Sequence, residues 1–444
     1  MVLRSLPVVL TDSLKMRSRM LIRTLLGLFA HVLVLVPAGA ADWPQWRGPD
    51  RTDISKETGL LKNWPREGPR LLWTDANAGV GYSGPAIVGE RLYTMGARDD
   101  TEYLYALDTK TGKEVWAAKV GPLFNNRWGD GPRGTPTVEG ELLYAIGGQG
   151  QLVCLETKTG KLRWQTNLKS DLGGQMMSGW GYTESPLVDG DKLVCSPGGS
   201  KGTLAALDKK TGKLLWRSKG LTDPAAYSSC IVAQVSGVRQ YVQMTGKGVA
   251  GVAAKDGGLL WHYPKDNYRT AVIPTPIFHD DSVYATAGYG AGCDRIKLTP
   301  EGKGGIKAEE VYSNKNMVNH HGGVVLVGEH LYGYSDSERA WICQEFKTGN
   351  IVWSEKRKLG KGSVTYADGH LYCYAESDGT AVLIEASPEG WKESGRFKIP
   401  RETTVRSPSG KIWTHPVVAN GRLYLRDQDL IFCFDVSDRA VSAR

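Results

Sequence analysis

From about residue 71 to 436 the chain consists of short runs in which apolar and polar positions alternate, each closed by Gly, Asp, Glu or Pro. Period-2 alternation marks strands with one buried face. Two phrases recur in step. The first, Ser83-Gly-Pro85-Ala-Ile-Val-Gly-Glu-Arg-Leu-Tyr93, returns as Thr135-Pro136-Thr-Val-Glu-Gly-Glu-Leu-Leu-Tyr144 and Ser185-Pro186-Leu-Val-Asp-Gly-Asp-Lys-Leu-Val194. It reads as strand, tight turn, strand, because Gly tolerates the positive φ that such turns need. The second, Ala106-Leu-Asp108-Thr-Lys-Thr111-Gly112-Lys-Glu-Val-Trp116, returns as Cys154-Leu-Glu156-Thr-Lys-Thr159-Gly160-Lys-Leu-Arg-Trp164 and Ala206-Leu-Asp208-Lys-Lys-Thr211-Gly212-Lys-Leu-Leu-Trp216. Its Thr-Gly-Lys is the turn between a third and a fourth strand.

Looser copies of the second phrase occupy residues 251–261 and 343–353. The Trp spacings are 48, 52, 45 and 92, the last being twice 46, so a further copy is expected at 295–312, with Tyr312 in place of Trp. The first phrase also opens at Ser228, Pro274, Gly323, Ser363 and His415, which makes eight units. Four strands per unit at a period in the forties predict an all-β, eight-bladed propeller of four-stranded antiparallel blades. The last unit ends near Val436 one strand short, and Leu71-Leu-Trp73 precedes the first unit without a blade of its own. Residues 71–75 are therefore expected to supply the missing outer strand and close a ring spanning 71–436. The length alone would suggest about three domains; the repeat reduces this to one. It also accounts for much of the excess of Gly, 55 residues in all, and for five of the 14 Trp.

Residues 1–40 have a different character. Arg17, Arg19 and Arg23 precede an apolar run at 24–36, then Pro37 and Ala38-Gly39-Ala40. A basic stretch, a short apolar stretch and a small-residue end read as a secretory signal peptide. No Cys follows it to carry a lipid, and no membrane span is expected after its removal. A periplasmic or secreted location follows. The segment holds five basic side chains and one acid, so the net charge of +8 falls to +4 without it. With no basic run, no nucleic-acid partner is expected. Residues 41–70 read as an extended arm lying along the propeller side, and 437–444 as a tail.

The second phrase matches the tryptophan-docking motif Ala-x-Asp-x-x-Thr-Gly-x-x-x-Trp. The chain thereby resembles the pyrroloquinoline quinone (PQQ) type β-propeller repeat family. That family includes quinoprotein alcohol dehydrogenases and a propeller of the outer-membrane assembly machinery. Asp42-Trp43-Pro44-Gln45-Trp46-Arg47-Gly48-Pro49 also resembles the leader of exported planctomycete-type proteins of this kind. The resemblance implies that Trp116, Trp164, Trp216, Trp261 and Trp353 are structural wedges between blades. For enzymatic members it implies PQQ with Ca²⁺, an adjacent disulfide-bonded Cys pair under the quinone, and an Asp base. This chain has no adjacent Cys pair. Three of its seven Cys (Cys154, Cys343, Cys433) stand where the motif wants a small buried residue, and Cys195 and Cys373 fall in second strands. Buried thiols are therefore expected rather than a disulfide framework. No Cys-x-x-Cys zinc pattern and no Cys-x-x-Cys-His haem site is present, while the His320-His321 pair could supply a base or a metal ligand.

The loops leading into the innermost strands should rim one mouth of the central channel. They are rich in groups that bind polar aromatic ligands. Candidates are Arg127, Trp128, Asp130 and Arg133 before blade 2, and Trp180, Tyr182 and Glu184 before blade 3. Arg269 precedes blade 5, Asn319, His320 and His321 precede blade 6, and Trp413 precedes blade 8. The leading reading is a non-catalytic, monomeric scaffold of the cell envelope that holds a small polar ligand or an envelope protein. The alternative is a periplasmic quinoprotein alcohol or sugar dehydrogenase using PQQ and Ca²⁺.

Overall fold

The computed structural model describes residues 41–302 and 304–438, so the expected signal peptide and the end of the tail lie outside the described residues. Among these, every named element is a strand, and the strands form eight separate sheets. Blade 1 is Ala86–Val88, Arg91–Arg98, Thr101–Asp108 and Glu114–Pro122, each antiparallel to the next. Blades 2 to 7 repeat this order, blade 7 being Gly362–Ala367, His370–Ala375, Thr380–Glu385 and Glu393–Lys398. Blade 8 is Val417–Ala419, Arg422–Asp427 and Leu430–Asp435, with Arg70–Asp75 antiparallel on its outer edge. The strand order thus joins the two ends of the propeller region in one sheet.

The core lies in the wedges between neighbouring sheets. Met95 and Leu104 of blade 1 share one buried cluster with Leu143 and Val153 of blade 2. Within the blades, the outer strand breaks register at the docking residue or its immediate neighbours. Such breaks occur between Leu162 and Trp164, and between Leu71 and Trp73. A bulge re-aims the side chain that follows it, and here it turns the indole toward the next blade. Trp116 lies against Gly160 and donates to the Thr157 carbonyl at 3.1 Å. Trp164 lies against Gly212 and donates to Lys209 at 3.0 Å. Trp73 and Tyr312 repeat the contact on Gly112 and Gly349. At Gly112 and Gly160, with φ of 71° and 70°, a Cβ would fall within 3 Å of the docked ring.

The residue paired with the docked ring is small for the same reason: Ala106 faces Trp116, Cys154 faces Trp164 and Cys433 faces Trp73. All seven cysteines are free and buried. Trp261 is buried but docks differently. Its indole donates to Gln240 of its own blade at 2.6 Å, and it shares a cluster with Leu298 and Ile306 of blade 5. The reason is in the sequence: the residues linking the third and fourth strands of blade 5, which pair up to Glu301 and Gly305, contain no Thr-Gly pair.

The N-terminal arm departs from the expectation of an extended segment on the propeller side. Residues 45–52 are turns and bends, and residues 43–57 bond to lead-in or innermost segments of all eight blades. Trp43 exchanges backbone hydrogen bonds with Ile87, and Pro44 accepts from Val138. Arg51 donates to Ser185 at 3.1 Å and to Cys230 at 2.9 Å, in blades 3 and 4. Arg47 donates to Thr275 and Val324, in blades 5 and 6. Ile54–Ser55 adds a parallel strand to blade 7, and the Glu57 carboxylate accepts from Asn420 and Gly421 of blade 8. Arg47 is 1% exposed and paired with Asp53 at 3.0 Å. The arm is a plug across the channel, held by guanidinium groups that satisfy carbonyls the ring leaves open.

Candidate functional site

At one mouth of the plugged channel the lead-in loops enclose a cup of about 190 Å³. Its walls include Tyr82 from blade 1, Trp128 and Arg133 from blade 2, Trp180 from blade 3, Tyr227 from blade 4, His320 and His321 from blade 6, and Trp413 from blade 8. The arm contributes Trp46, whose indole donates to Thr275 Oγ1 at 2.8 Å and whose ring lies 4.6 Å from His415.

The aromatic rings touch in sequence around the wall. Tyr227 meets Trp180 at 5.4 Å between centroids, and Trp180 meets His320 at 6.3 Å. His321 follows at 5.7 Å, Trp413 at 6.3 Å and Tyr82 at 5.0 Å. Arg133 stands 5.6 Å over the Tyr82 ring and 4.6 Å over Phe124. Such a wall grips a flat ring by stacking and edge contacts.

Three polar groups in this wall are poised differently. Arg133 donates to the carbonyls of Gly129 and Gly131, and burial disfavours its charge. Among the described residues it has no ion-pair partner. His320 is pushed down to about 4 by burial and by the Lys361 ammonium, whose Nζ lies 2.9 Å from Nδ1. It is a neutral imidazole at pH 7. His321 is held well below its usual range by burial and is 7% exposed, and neither ring nitrogen has a hydrogen-bond partner. Behind it, Glu376 lies 3.5 Å from Nδ1 and accepts from the Trp413 indole at 3.2 Å. Burial raises the Glu376 carboxyl.

Of the residues expected from sequence, Trp128, Arg133, Trp180, His320, His321 and Trp413 line the cup. The others stand elsewhere. Arg127 is exposed, with its guanidinium 4.8 Å over the Trp128 ring. Asp130 accepts from the Asn126 amide and shapes its own loop. Tyr182 is buried between blades and donates to Pro197. Glu184 is 2% exposed, accepts from Ser196, and is pushed up to about 8 by burial. Arg269 is exposed. Asn319 is buried and ties Gly323 and Tyr334 together. Sequence reasoning missed Trp46, Tyr82, Tyr227 and Tyr289. Tyr82 and Tyr227 share one slot, just before the serine that opens a blade, and that repeated position was the signal available.

Residues 100–355, more than half of the chain, match the PQQ-like repeat model described as outer membrane protein assembly factor BamB. The chain belongs to this family. A quinone-type alcohol dehydrogenase subunit of Gluconacetobacter polyoxogenes is 26% identical over 249 residues, covering 53% of this chain and 31% of its own. The assembly factor BamB of Burkholderia pseudomallei is 27% identical over 234 residues, covering 44% of this chain and 58% of its own. The matched stretches span between 22% and 58% of the curated relatives' own length. The crystal structure of BamB from Moraxella catarrhalis superposes with a TM-score of 0.54 at 15% identity, over 80% of this chain and 94% of that one. This last likeness is one of fold.

A PQQ–Ca²⁺ pair can be tested against the cup of this PQQ-like repeat protein. A calcium site needs several oxygen ligands, usually carboxylates. No Asp or Glu stands among the lining residues, and no Cys does. Among the described residues no three His, Cys, Asp or Glu side chains converge as a metal site. The cup residues do not fit that pair.

Proposed function

We propose that this chain is a ligand-binding propeller of the cell envelope, and that its ligand is a flat ring carrying a hydrogen-bonding or anionic edge, held in the channel-mouth cup. The observation that carries the reading is His321. Leaving a buried polar group without a hydrogen bond costs about 1–3 kcal/mol; on the wall of a cavity large enough for a ring, His321 Nε2 has no partner and Nδ1 has only the long Glu376 contact at 3.5 Å. A ligand edge that supplies the missing partner removes that cost. Arg133 and His320 offer further donors to the same edge.

The envelope location draws support from the leader-like residues 1–40 and from the outer membrane assembly factor among the relatives. No helix among the described residues is long and apolar enough to cross a membrane. The quinoprotein dehydrogenase reading draws support from the quinone-type relatives and none from the cup. The test is a titration of intrinsic tryptophan fluorescence with a panel of small aromatic and cyclic carboxylates, beside PQQ with and without Ca²⁺. Saturable quenching by a panel member, abolished by Arg133→Met, supports the proposal. Stoichiometric PQQ binding with alcohol-dependent dye reduction would replace it.

A further inference from the structure

We infer that cleavage between Ala40 and Ala41 creates a latch, in which the new α-ammonium of Ala41 pairs with the buried carboxylate of Glu57. This rests on the export reading above and goes beyond it. Two independent observations meet at this point. Ala38-Gly39-Ala40 has the small-residue pattern that a leader peptidase cuts after. The backbone nitrogen of Ala41 lies 2.5 Å from Glu57 Oε1.

Glu57 is 8% exposed and already organised by the fold. Oε1 also accepts from the Asn420 amide at 3.0 Å, and Oε2 accepts from the Gly421 amide at 2.9 Å. Asn420 and Gly421, with φ of 57° and 68°, form the two-residue turn that opens the second strand of blade 8. Among the described residues Glu57 has no ion-pair partner. The next lysines along the chain are spent elsewhere, Lys56 on Asp50 at 2.6 Å and Lys62 on Asp368 at 2.7 Å. Backbone amides alone satisfy its oxygens, and no cation balances its charge. Hydrolysis of the Ala40–Ala41 bond adds one water across it. The carboxylate leaves on the leader, and the amine stays on the chain. With an ordinary pKa near 8, that amine is an ammonium at neutral pH. The missing charge then appears at the atom already in contact.

The consequence reaches the cup. Ala41 and Glu57 flank the segment that holds Trp46, Arg47 and Arg51, so their pairing ties the plug into a closed loop. Processing thus fixes the Trp46 end of the binding cavity.

The test uses the full-length chain exported with its own leader. Intact mass is expected to place the N-terminus at Ala41. A different mature N-terminus overturns the latch while leaving export standing, and an uncleaved chain overturns both. The processed protein is then labelled at neutral pH with an aldehyde selective for α-amines. Slow labelling is expected, and about tenfold faster labelling in Glu57→Gln, the scale of one charge-assisted hydrogen bond. Equal rates overturn the latch. A third chain, with two serines inserted after Ala40, keeps the cleavage site and displaces the amine. It is expected to melt lower and to label fast; an unchanged melting temperature overturns the latch even if Glu57→Gln fails to fold.

Discussion

Lys361 Nζ lies 2.9 Å from His320 Nδ1, and the same ammonium is held by Asp336 at 2.8 Å. An ammonium has only donors, so Nδ1 accepts and the neutral ring keeps its proton on Nε2. The lysine sets the tautomer that one wall of the cup presents. Lys361→Met removes both the donor and the like charge. The expected result is an upward shift of the His320 titration from about 4, read by NMR of the imidazole nitrogens. The sign for stability follows. A histidine depressed in the folded state supports folding fully above its ordinary value near 6.5 and loses that support as pH falls toward about 4. Stability should therefore fall less steeply in that window for Lys361→Met. A wild-type His320 that titrates near 6.5 would sink the assignment.

Asp53 joins the plug to the ring. It pairs with Arg47 at 3.0 Å and faces His415 Nδ1 at 3.3 Å, all three buried. Breaking a buried pair by removing one partner costs about 3–5 kcal/mol, because the other charge stays behind. Asp53→Asn should lower the unfolding free energy from urea denaturation by that order. Adding Arg47→Met should recover part of the loss, since the stranded cation goes with it. If the double variant is weaker than the single by the full cost of Arg47→Met alone, the two residues are not coupled.

Tryptophans of the two classes should separate in one pair of variants. Trp164 fills the seam between blades 2 and 3 and is bonded to Lys209. Trp164→Ala leaves a void and should cost about 3 kcal/mol in chemical denaturation. Trp180 lies on the cup wall against Tyr227 and His320. Trp180→Ala should cost under about 1 kcal/mol of stability and still abolish fluorescence-detected ligand binding. Equal destabilisation by both would remove the distinction.

The lead-in to blade 3 shows what was legible in the sequence and what was not. The repeat gave away the blades, the docking residues and the loops that rim the mouth, because each is a local phrase with its own turn chemistry. It did not give away which loop residues face inward. Trp180 lines the cup, but Gly181 has φ of 75° and reverses the alternation. Beyond it Thr183 and Ser185 face the cup, while Tyr182 and Glu184 turn into the protein. The arm was illegible for another reason. Asp42 to Pro49 has no periodicity, and its partners lie up to several hundred residues away, as with Asp53 and His415. Only the closed ring creates the channel that gives Arg47 and Arg51 their carbonyls.

Glu184 yields a prediction of opposite pH sense to His320. Its Oε1 accepts from the Ser196 amide at 2.6 Å, its Oε2 is buried without a partner, and burial pushes the carboxyl up to about 8. Arg51 acts in the opposite direction and does not overcome burial. An acid raised in the folded state supports folding fully below its ordinary value near 4.3, and that support disappears as pH rises through about 8. Glu184→Gln keeps the acceptor for Ser196 and cannot ionise. Urea unfolding at pH 5 and pH 8.5 should show the wild type losing a few kcal/mol that the variant retains, on the scale of 1.4 kcal/mol per pH unit. Parallel stability profiles for the two proteins would mean that Glu184 is ionised in the fold, with Arg51 rather than burial setting its charge.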